Sequence, residues 1–281
     1  MKQSLDLGDI RISWLNGGEF ELDGGTMFGP VPKILWNKKY PADANNNIKM
    51  LNAPLLVETT EESILIDTGL GNKLSHKEKE IFQVTKEWSV IDDLTARGMS
   101  REDISLVILT HCDFDHAGGI VMHNNQGKSE LTFPNAKHLM QKKEWEDVTH
   151  TNSRSAHTYW PHNFTGLEDS GLLELIDGDY EILPGVSVSA TGGHTRGHQF
   201  VVLEGKTGCA VHLGDLLPLH SHCNPLWIMA YDNFPLEIIE QKETLLPVFS
   251  SRNCWFTFYH DIYMKACQID SKGELKSRWQ D

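Results

Sequence analysis

The chain has 281 residues, 40% of them hydrophobic, and a formal net charge of −14. This length and hydrophobic content allow a large core and exclude a disordered chain. The acidic balance argues against a surface that binds nucleic acid by neutralising phosphates, so we expect a small-molecule substrate and no nucleic-acid partner.

The chain shows no sign of export or membrane insertion. The first twenty residues alternate apolar and polar positions and lack the apolar core of a signal peptide. No run approaches the ~18 apolar residues of a spanning helix, so we expect no membrane partner. The five cysteines are scattered, without a CxxC pair. This pattern favours reduced thiols in a cytoplasmic protein over a disulfide framework.

The N-terminal part combines a predicted strand with a long apolar loop. Residues 8–15 alternate like a strand, whereas the proline- and asparagine-rich segment 27–47 is too irregular for a helix. Long loops in compact domains tend to be functional. This one carries Met27, Phe28, Ile34, Leu35 and Trp36, which are predicted to cover a substrate pocket or to pack onto the core. A homodimer contact is the further alternative for Phe28 and Trp36.

A predicted hairpin follows, formed by residues 55–58 and 63–66, and its second strand runs into a polar turn at Asp67. We predict that Asp67 either orients a metal-binding histidine or accepts hydrogen bonds from its own glycine turn. A charged surface helix is then predicted over residues 73–83, and an amphipathic helix over residues 89–97. A capped turn at residues 100–103 leads into the apolar strand 106–109.

The stretch Thr110–Gly119 places two histidines and two aspartates directly after this strand. Carboxylates are seldom buried unless they are paired or bind a metal, so the stretch predicts a metal site. A solvated acidic loop is the alternative. Cys112 lies among these residues, but the alternation of an extended segment points it away from its neighbours. The residues 117–120 are predicted to open a helix. The candidate ligands are His111, Asp113, Asp115 and His116.

The second half repeats the same arrangement at three further strand ends. Strands are predicted over residues 136–140, 185–190, 209–213 and 254–258, and helices over residues 142–148 and 235–249. The last three strands lead to His194, Asp215 and His260. Any one of these residues alone would be an ordinary structural residue. If the strand ends lie side by side, however, the four sets of ligands converge on one point.

These motifs together resemble the metallo-β-lactamase superfamily over nearly the whole chain, so residues 1–281 are expected to form one domain of that fold. The family signature is HxHxDH, then a histidine in a Gly-His-Thr-x-Gly-His turn, then an aspartate and a late histidine. The resemblance implies an α+β fold, an αββα sandwich in which two mixed β-sheets pack face to face with helices on both outer faces. Trp14–Gly18, the Met27–Pro32 loop and Tyr259-His260-Asp261 resemble the N-acyl-homoserine lactonase branch, particularly its YtnP-like members.

The resemblance also implies a ligand set and a reaction. One divalent ion would be held by His111, Asp113 and His194, and a second by Asp115, His116 and His260, with Asp215 bridging the two ions. Zinc is the first expectation, with manganese or iron as alternatives. A hydroxide that bridges the two ions would open a lactone or cleave a related carboxylic ester, and Asp115 and Asp215 are the catalytic candidates. N-acyl-homoserine lactones are candidate substrates.

Two positions depart from the pattern of this family. Asp113 stands where the family norm is a histidine, which adds a negative charge and favours harder metals. Lactonases of this type commonly place a tyrosine three residues after the bridging aspartate, where it assists the carbonyl oxygen of the substrate. This chain has Pro218 at that position. Tyr231, His220 and His222 are the candidate replacements, and the sequence does not choose among them.

The remaining expectations concern a supporting residue and other activities. His198 follows the histidine turn and is predicted to be structural or to support a ligand. Because a carboxylate at position 113 also resembles the motif of redox di-iron proteins, a redox di-iron or mono-iron protein of the same fold is the main alternative function. A phosphodiesterase of the same superfamily is a further alternative, although the acidic balance of the chain argues against it.

Overall fold

The computed structural model describes residues 4–279 and consists of two seven-stranded sheets, two short strand pairs and seven α-helices within that range. The strands are β1 (Leu5–Asp6), β2 (Arg11–Trp14), β3 (Glu19–Asp23), β4 (Asn47–Leu51), β5 (Leu55–Glu58), β6 (Ser63–Ile66), β7 (Leu106–Ile108), β8 (Val121–His123), β9 (Ser129–Leu131), β10 (Lys137–Gln141), β11 (Leu173–Ile176), β12 (Tyr180–Leu183), β13 (Val186–Ala190), β14 (Gln199–Gly205), β15 (Gly208–His212), β16 (Trp255–Thr257), β17 (Ala266–Ile269) and β18 (Leu275–Arg278). The helices are α1 (Gly24–Phe28), α2 (Lys33–Trp36), α3 (His76–Ile81), α4 (Val90–Thr95), α5 (Phe114–Ala117), α6 (Lys142–Thr149) and α7 (Pro235–Ser251).

Both large sheets are mixed. The first has the order β1-β2-β5-β6-β7-β10-β11, antiparallel up to β6 and parallel from β6 to β11. The second runs from β12 to β18 in sequence order and is antiparallel except for the parallel pair β15–β16. Strands β3 and β4 form one short antiparallel pair, and β8 and β9 form the other.

The central strands are buried on both faces, which explains their continuous apolar sequences. In β6, Ile64 and Ile66 belong to the core between the two sheets, whereas Leu65 packs against the helices on the outer side. Helices α4 and α6 cover that outer face of the first sheet, and α7 covers the outer face of the second. The predicted αββα order of layers is therefore confirmed.

Several local predictions need correction. The segment 27–47 was expected to contain no helix. However, α1 extends into the segment as far as Phe28, and α2 lies entirely within it. Helix α1 begins where the side chain of Asp23 accepts a hydrogen bond from the backbone N–H of Thr26, and α2 follows a proline, which helix starts tolerate. The strand predicted over residues 8–15 is shorter than expected: β2 begins at Arg11, because residues 7–10 form the turn that joins β2 to β1.

The helix predicted to open at residues 117–120 instead ends there, since α5 covers Phe114–Ala117. A Cβ atom on Gly118 would lie 2.3 Å from the carbonyl oxygen of Leu70, and one on Gly119 would lie 2.4 Å from that of Thr68. The two glycines therefore let the backbone after β6 pass directly against the end of α5. As a result, Asp115 and His116 lie in a helical turn and not in a loop.

The prediction that all five cysteines are reduced is wrong. Cys209 and Cys254 form a disulfide. The parallel pairing of β15 with β16 sets Ala210 opposite Trp255. Cys209 and Cys254, which directly precede these two residues, are therefore close enough to bond. Cys112, Cys223 and Cys267 are free and buried. Pairing between residues 45 apart is set by sheet register, which cysteine spacing does not reveal.

Phe28 and Trp36 are not available for a homodimer contact, because both are buried and stack on each other with ring centroids 4.8 Å apart. Ile34 and Leu35 are the exposed apolar residues of this segment. In residues 4–279, none of the helices has the length and apolar character needed to cross a membrane.

Candidate metal centre

Five strands end at one edge of the sandwich, and each delivers polar residues there. Strands β6 and β7 are parallel neighbours in the first sheet, and β15 and β16 are parallel neighbours in the second. Strand β13 runs in the same direction as β15, because each is antiparallel to β14. The carboxyl ends of all five strands are followed by the residues Asp67, His111, His194, Asp215 and His260.

The first of two ligand groups contains His111, Asp113 and His194. The Oδ2 atom of Asp113 lies 3.6 Å from Nε2 of His111 and 3.4 Å from Nε2 of His194. His111 and His194 are buried, whereas Asp113 retains 17% side-chain exposure. The three side chains each offer one donor atom within 4.8 Å of the others, a spacing that suits a shared divalent ion.

The second group contains Asp115, His116 and His260. Nε2 of His260 lies 3.6 Å from Oδ2 of Asp115 and 3.1 Å from Nε2 of His116. All three residues are buried. Their donor atoms also lie within 4.8 Å of one another, so the structure brings together the same two triads that the sequence predicts.

Asp215 lies between the two groups and presents one oxygen to each. Its Oδ1 atom lies 3.3 Å from Nε2 of His116 and 3.2 Å from Nε2 of His260. Its Oδ2 atom lies 3.5 Å from Nε2 of His194. A carboxylate that faces two ligand groups with different oxygens has the arrangement needed to bridge two ions.

Several donor atoms of the two triads and of Asp215 lack a hydrogen-bond partner, and bound metal ions would be suitable partners for them. Nε2 of His111, Nε2 of His194 and Oδ1 of Asp215 are buried and have no hydrogen-bond partner that meets normal geometry. Buried polar atoms are rarely left unpaired, because the lost hydration costs about 1–3 kcal/mol for each atom. Each of these atoms lies within 3.6 Å of a donor atom of another candidate ligand. Imidazole nitrogens with carboxylates are the ligands of zinc, iron and manganese sites.

The electrostatics differ between the ligands of the cluster: they favour the deprotonated forms of His111 and Asp215 and the protonated form of His116. Burial lowers the pKa of His111 well below its ordinary value, so its ring stays neutral and keeps a lone pair. Burial alone would raise the pKa of Asp215, but the neighbouring His260 and His116 hold that pKa well below the ordinary value. For His116, burial opposes protonation, yet Asp215, Asp67 and Asp115 together raise its pKa well above the ordinary value.

Asp67 supports this cluster from behind. Its Oδ2 atom lies 2.9 Å from Nδ1 of His116 and accepts a hydrogen bond from the hydroxyl of Thr110 at 2.8 Å. Its Oδ1 atom accepts from the backbone N–H of Thr110 at 2.8 Å. Of the two roles predicted for Asp67, the geometry therefore matches the orienting of a histidine, because a carboxylate on Nδ1 directs Nε2 towards the centre.

Two further supporting residues were missed by the sequence analysis. Oδ1 of Asp232 lies 2.9 Å from Nδ1 of His194, so this aspartate does for His194 what Asp67 does for His116. The hydroxyl of Tyr259 donates to the backbone oxygen of Asp115 at 2.8 Å, and its ring stacks on that of His116. Asp232 carries no sequence signal, whereas Tyr259 precedes a predicted ligand at a strand end.

Glu144 connects the two loops that carry the first triad. Its Oε1 atom accepts hydrogen bonds from the backbone N–H of Cys112 and from the hydroxyl of Tyr159, and its Oε2 atom accepts from the hydroxyl of Thr195, each at 2.7 Å. Burial raises the pKa of Glu144 to about 7. The sequence held a signal for it, since Glu144 precedes the buried Val148 by four residues and so shares its face of α6.

Two more histidines flank the cluster without joining either triad. Nδ1 of His198 lies 2.6 Å from the hydroxyl oxygen of Thr191, and the ring centroid of His198 lies 5.4 Å from that of His111. Nδ1 of His212, at the end of β15, lies 2.9 Å from the hydroxyl oxygen of Thr257. Burial lowers the pKa of His212 to about 4, so both its position and its neutral state suit packing behind the ligands.

A cavity of about 310 Å³ opens directly onto the cluster. This volume lies within the range of about 300–1,000 Å³ that is typical of small-molecule sites. Much of its wall is apolar, and the side chains from β3, α1 and β4 form one side. The lining consists of Leu22, Met27, Met50, Phe82, Asp113, Phe114, Asp115, His157, Thr158, His194, Asp215, Met229, Tyr231 and His260.

The structure divides the predicted pocket residues into two groups. Met27 and Tyr231 line the cavity. Phe28 and His222 do not: their rings stack behind the wall with centroids 5.0 Å apart, and Nε2 of His222 lies 3.0 Å from the backbone oxygen of Met27. His220 contacts Asp261 and also lies outside the lining. Of the three candidate replacements for the expected tyrosine, only Tyr231 reaches the cavity.

The fold has close counterparts among solved structures. A probable metal-dependent hydrolase from Staphylococcus aureus is 38% identical, with a TM-score of 0.93 over 99% of both chains. AidC, described as a dizinc quorum-quenching lactonase, has a TM-score of 0.79 over 99% of this chain and 98% of its own. Its identity of 20% means that this second likeness shows a shared fold alone.

Sequence comparison adds relatives and a family. The N-acyl homoserine lactonase AiiA of Bacillus thuringiensis subsp. kurstaki is 30% identical over 170 residues, which are 56% of this chain and 60% of the relative. The match therefore spans less than two thirds of that relative's length. The model of the metallo-beta-lactamase superfamily matches residues 53–235, which contain six of the seven candidate ligands. This chain belongs to the metallo-beta-lactamase superfamily.

Proposed function

We propose that this protein is a hydrolase that uses two divalent metal ions to open lactones, with N-acyl-homoserine lactones as the first candidates and related carboxylic esters as the wider class. The observation that carries the proposal is the position of Asp215, which presents one oxygen to each ligand triad at the floor of a largely apolar cavity.

In this proposal, His111, Asp113 and His194 hold one ion, Asp115, His116 and His260 hold the other, and Asp215 bridges them. The buried donor atoms without hydrogen-bond partners support this assignment. Zinc is the expected metal, with manganese or iron as alternatives. Bound divalent ions would supply an activated water and a Lewis acid for the ester carbonyl.

The chain itself contributes orientation, a dry cavity and proton transfer. Asp67 and Asp232 hold the rings of His116 and His194 in place through their Nδ1 atoms. Met27, Met50 and Phe114 line the cavity, where they suit an apolar acyl chain and exclude water from the cluster. Ring opening releases an alkoxide that needs a proton. The carboxylate of Asp115 lies in the cavity lining and is positioned to take up the proton that the attacking water gives up and to return it to that alkoxide.

The relatives support the choice of substrate. The Bacillus relatives are N-acyl homoserine lactonases at about 30% identity, and AidC is a lactonase of the same fold. Because these matches are partial or distant, the lactonase activity of this chain is a proposal.

The test begins with elemental analysis of protein purified without added metal, followed by a lactone panel on the same sample. We expect about two divalent ions per chain and hydrolysis that is lost with a chelator and restored by metal. Asp215→Asn should lower metal content and remove activity, whereas Asp169→Asn, at an exposed position, should change neither. Lactone hydrolysis that continues after complete metal removal would overturn the proposal.

The same preparation separates the alternative functions. Iron as the dominant metal, together with colour in the oxidised state and no lactone turnover, would favour the redox protein. Cleavage of phosphodiesters without cleavage of lactones would favour the phosphodiesterase.

A further inference from the structure

Tyr231 is a residue of the cavity wall whose hydroxyl has a defined hydrogen-bond direction. It shares the lining with Asp115, Asp215, His194 and His260. Burial, with further contributions from the charges of Asp115 and Asp23, raises the pKa of Tyr231 above its ordinary value, so its side chain is a neutral phenol. A neutral phenol has one proton to donate and can also accept hydrogen bonds.

The proton of Tyr231 is already engaged. The hydroxyl oxygen of Thr26 lies 2.7 Å from the backbone carbonyl oxygen of Asp23. A carbonyl can only accept, so the proton of the Thr26 hydroxyl must lie between these two oxygens. The hydroxyl oxygen of Tyr231 lies 2.5 Å from the same Thr26 oxygen. Because Thr26 has no second proton, Tyr231 is the donor in that contact.

The two partners are held so that this direction is maintained. The backbone N–H of Thr26 donates to Oδ1 of Asp23 at 2.9 Å, and the backbone N–H of Ala230 donates to the backbone oxygen of Thr26 at 2.9 Å. Nη2 of Arg154 donates to the backbone oxygen of Tyr231 at 2.9 Å. The phenol oxygen therefore offers only lone pairs to any molecule in the cavity.

We infer that Tyr231 is a specificity residue that accepts a hydrogen bond from a substrate N–H, and that it selects α-acylamino lactones over lactones whose side chain lacks that donor. The inference rests on the proposed lactone hydrolysis. The ester group of a lactone carries only acceptors, so an acceptor on the cavity wall does not help to polarise its carbonyl. An amide N–H next to the ring is the matching donor. Tyr231 therefore differs in role from the carbonyl-assisting tyrosine that the family resemblance led us to expect.

The test compares two substrates that differ in one group. N-hexanoyl-homoserine lactone carries an amide N–H, and α-hexanoyloxy-γ-butyrolactone has an ester oxygen in its place. With the metal-loaded protein, and with opening of the lactone ring as the measured reaction, we expect kcat/KM to favour the amide about tenfold, since a tenfold ratio corresponds to about 1.4 kcal/mol, the size of one hydrogen bond. Tyr231→Phe should bring this ratio close to one. Tyr180→Phe is the matched control, because Tyr180 is exposed in the edge strand β12 and should leave the ratio as it is.

A second variant tests the direction of the proton. Thr26→Val removes the acceptor for the Tyr231 hydroxyl, so the proton of that hydroxyl becomes free to face the cavity. The variant should then no longer favour the amide substrate. The ratio should then fall to one or below, with both variants checked for folding by thermal melting. An unchanged ratio in Tyr231→Phe or in Thr26→Val would overturn the inference, as would equal hydrolysis of both substrates by the unmodified protein. Failure to hydrolyse either lactone would overturn the proposed function and this inference together.

Discussion

Replacing Glu144 by glutamine should change how the stability of this protein depends on pH. The buried carboxylate accepts three hydrogen bonds, from the backbone N–H of Cys112 and the hydroxyls of Tyr159 and Thr195. The amide oxygen of glutamine can accept the first two, and its amino group can donate to the hydroxyl of Thr195, which rotates to accept. The variant therefore keeps the connections between the loops but has no charge to bury.

The size of the effect follows from the shift in pKa. Burial raises the pKa of Glu144 from an ordinary 4.5 to about 7. Each pKa unit corresponds to 1.36 kcal/mol, so the full effect is about 3 kcal/mol. Between about pH 4.5 and pH 7 the folded state holds a proton that the unfolded state has lost, so the free energy of unfolding falls as pH rises through this window. The free energy of unfolding of Glu144→Gln should not show this decrease, because glutamine does not titrate.

The assay is urea unfolding with excess chelator at pH 5 and at pH 8. The stability of the unmodified protein minus that of Glu144→Gln should decrease by about 2–3 kcal/mol from pH 5 to pH 8, because other titrating groups cancel in the difference. The exposed Glu243 provides the control, and Glu243→Gln should follow the unmodified protein at both pH values. If the free energies of unfolding of Glu144→Gln and of the unmodified protein change by the same amount from pH 5 to pH 8, the reasoning is refuted.

Three further substitutions test the candidate metal centre and its support. Asp113→His removes a negative charge and supplies a softer ligand, so we expect a higher zinc content by elemental analysis. Asp232→Asn weakens the carboxylate contact with Nδ1 of His194 and should lower metal affinity about 10- to 100-fold in competition with a chelator. Gly118→Ala would place a Cβ atom 2.3 Å from the carbonyl oxygen of Leu70 and should destabilise the fold by about 3 kcal/mol in urea unfolding.

A specific result would contradict each of these three predictions, and two of them have a matched control variant. Unchanged metal content in Asp113→His would count against Asp113 as a ligand. Asp169→Asn, at an exposed position, should keep the affinity of the unmodified protein, and an equal loss in both aspartate variants would contradict a specific role for Asp232. Gly208→Ala has its nearest neighbour 3.6 Å away and should be tolerated. If Gly118→Ala is equally stable, the close approach is not a constraint.

The candidate ligands could be identified from sequence because each belongs to a short local pattern. A buried strand is a run of apolar residues, and the polar residues just after it must lie at the end of a sheet. Residues 110–119, Asp215 and His260 follow such runs, whereas His194 follows the alternating, half-buried strand β13. The layer order came from the family resemblance, since local patterns do not say which faces of two sheets meet.

The tertiary structure alone decided what depends on distant pairs. Asp232 meets His194 across 38 residues, and Glu144 meets Thr195 across 51. Helical spacing can place Glu144 on a buried face, but it identifies neither of these partners. The disulfide between Cys209 and Cys254 depends on the register of β15 against β16, which cysteine spacing does not encode. The direction of the Tyr231 hydrogen bond depends on how α1 places Thr26 beside a segment more than two hundred residues away. The sequence thus determined the chemistry available at the strand ends, and the packing of remote segments decided how that chemistry is oriented.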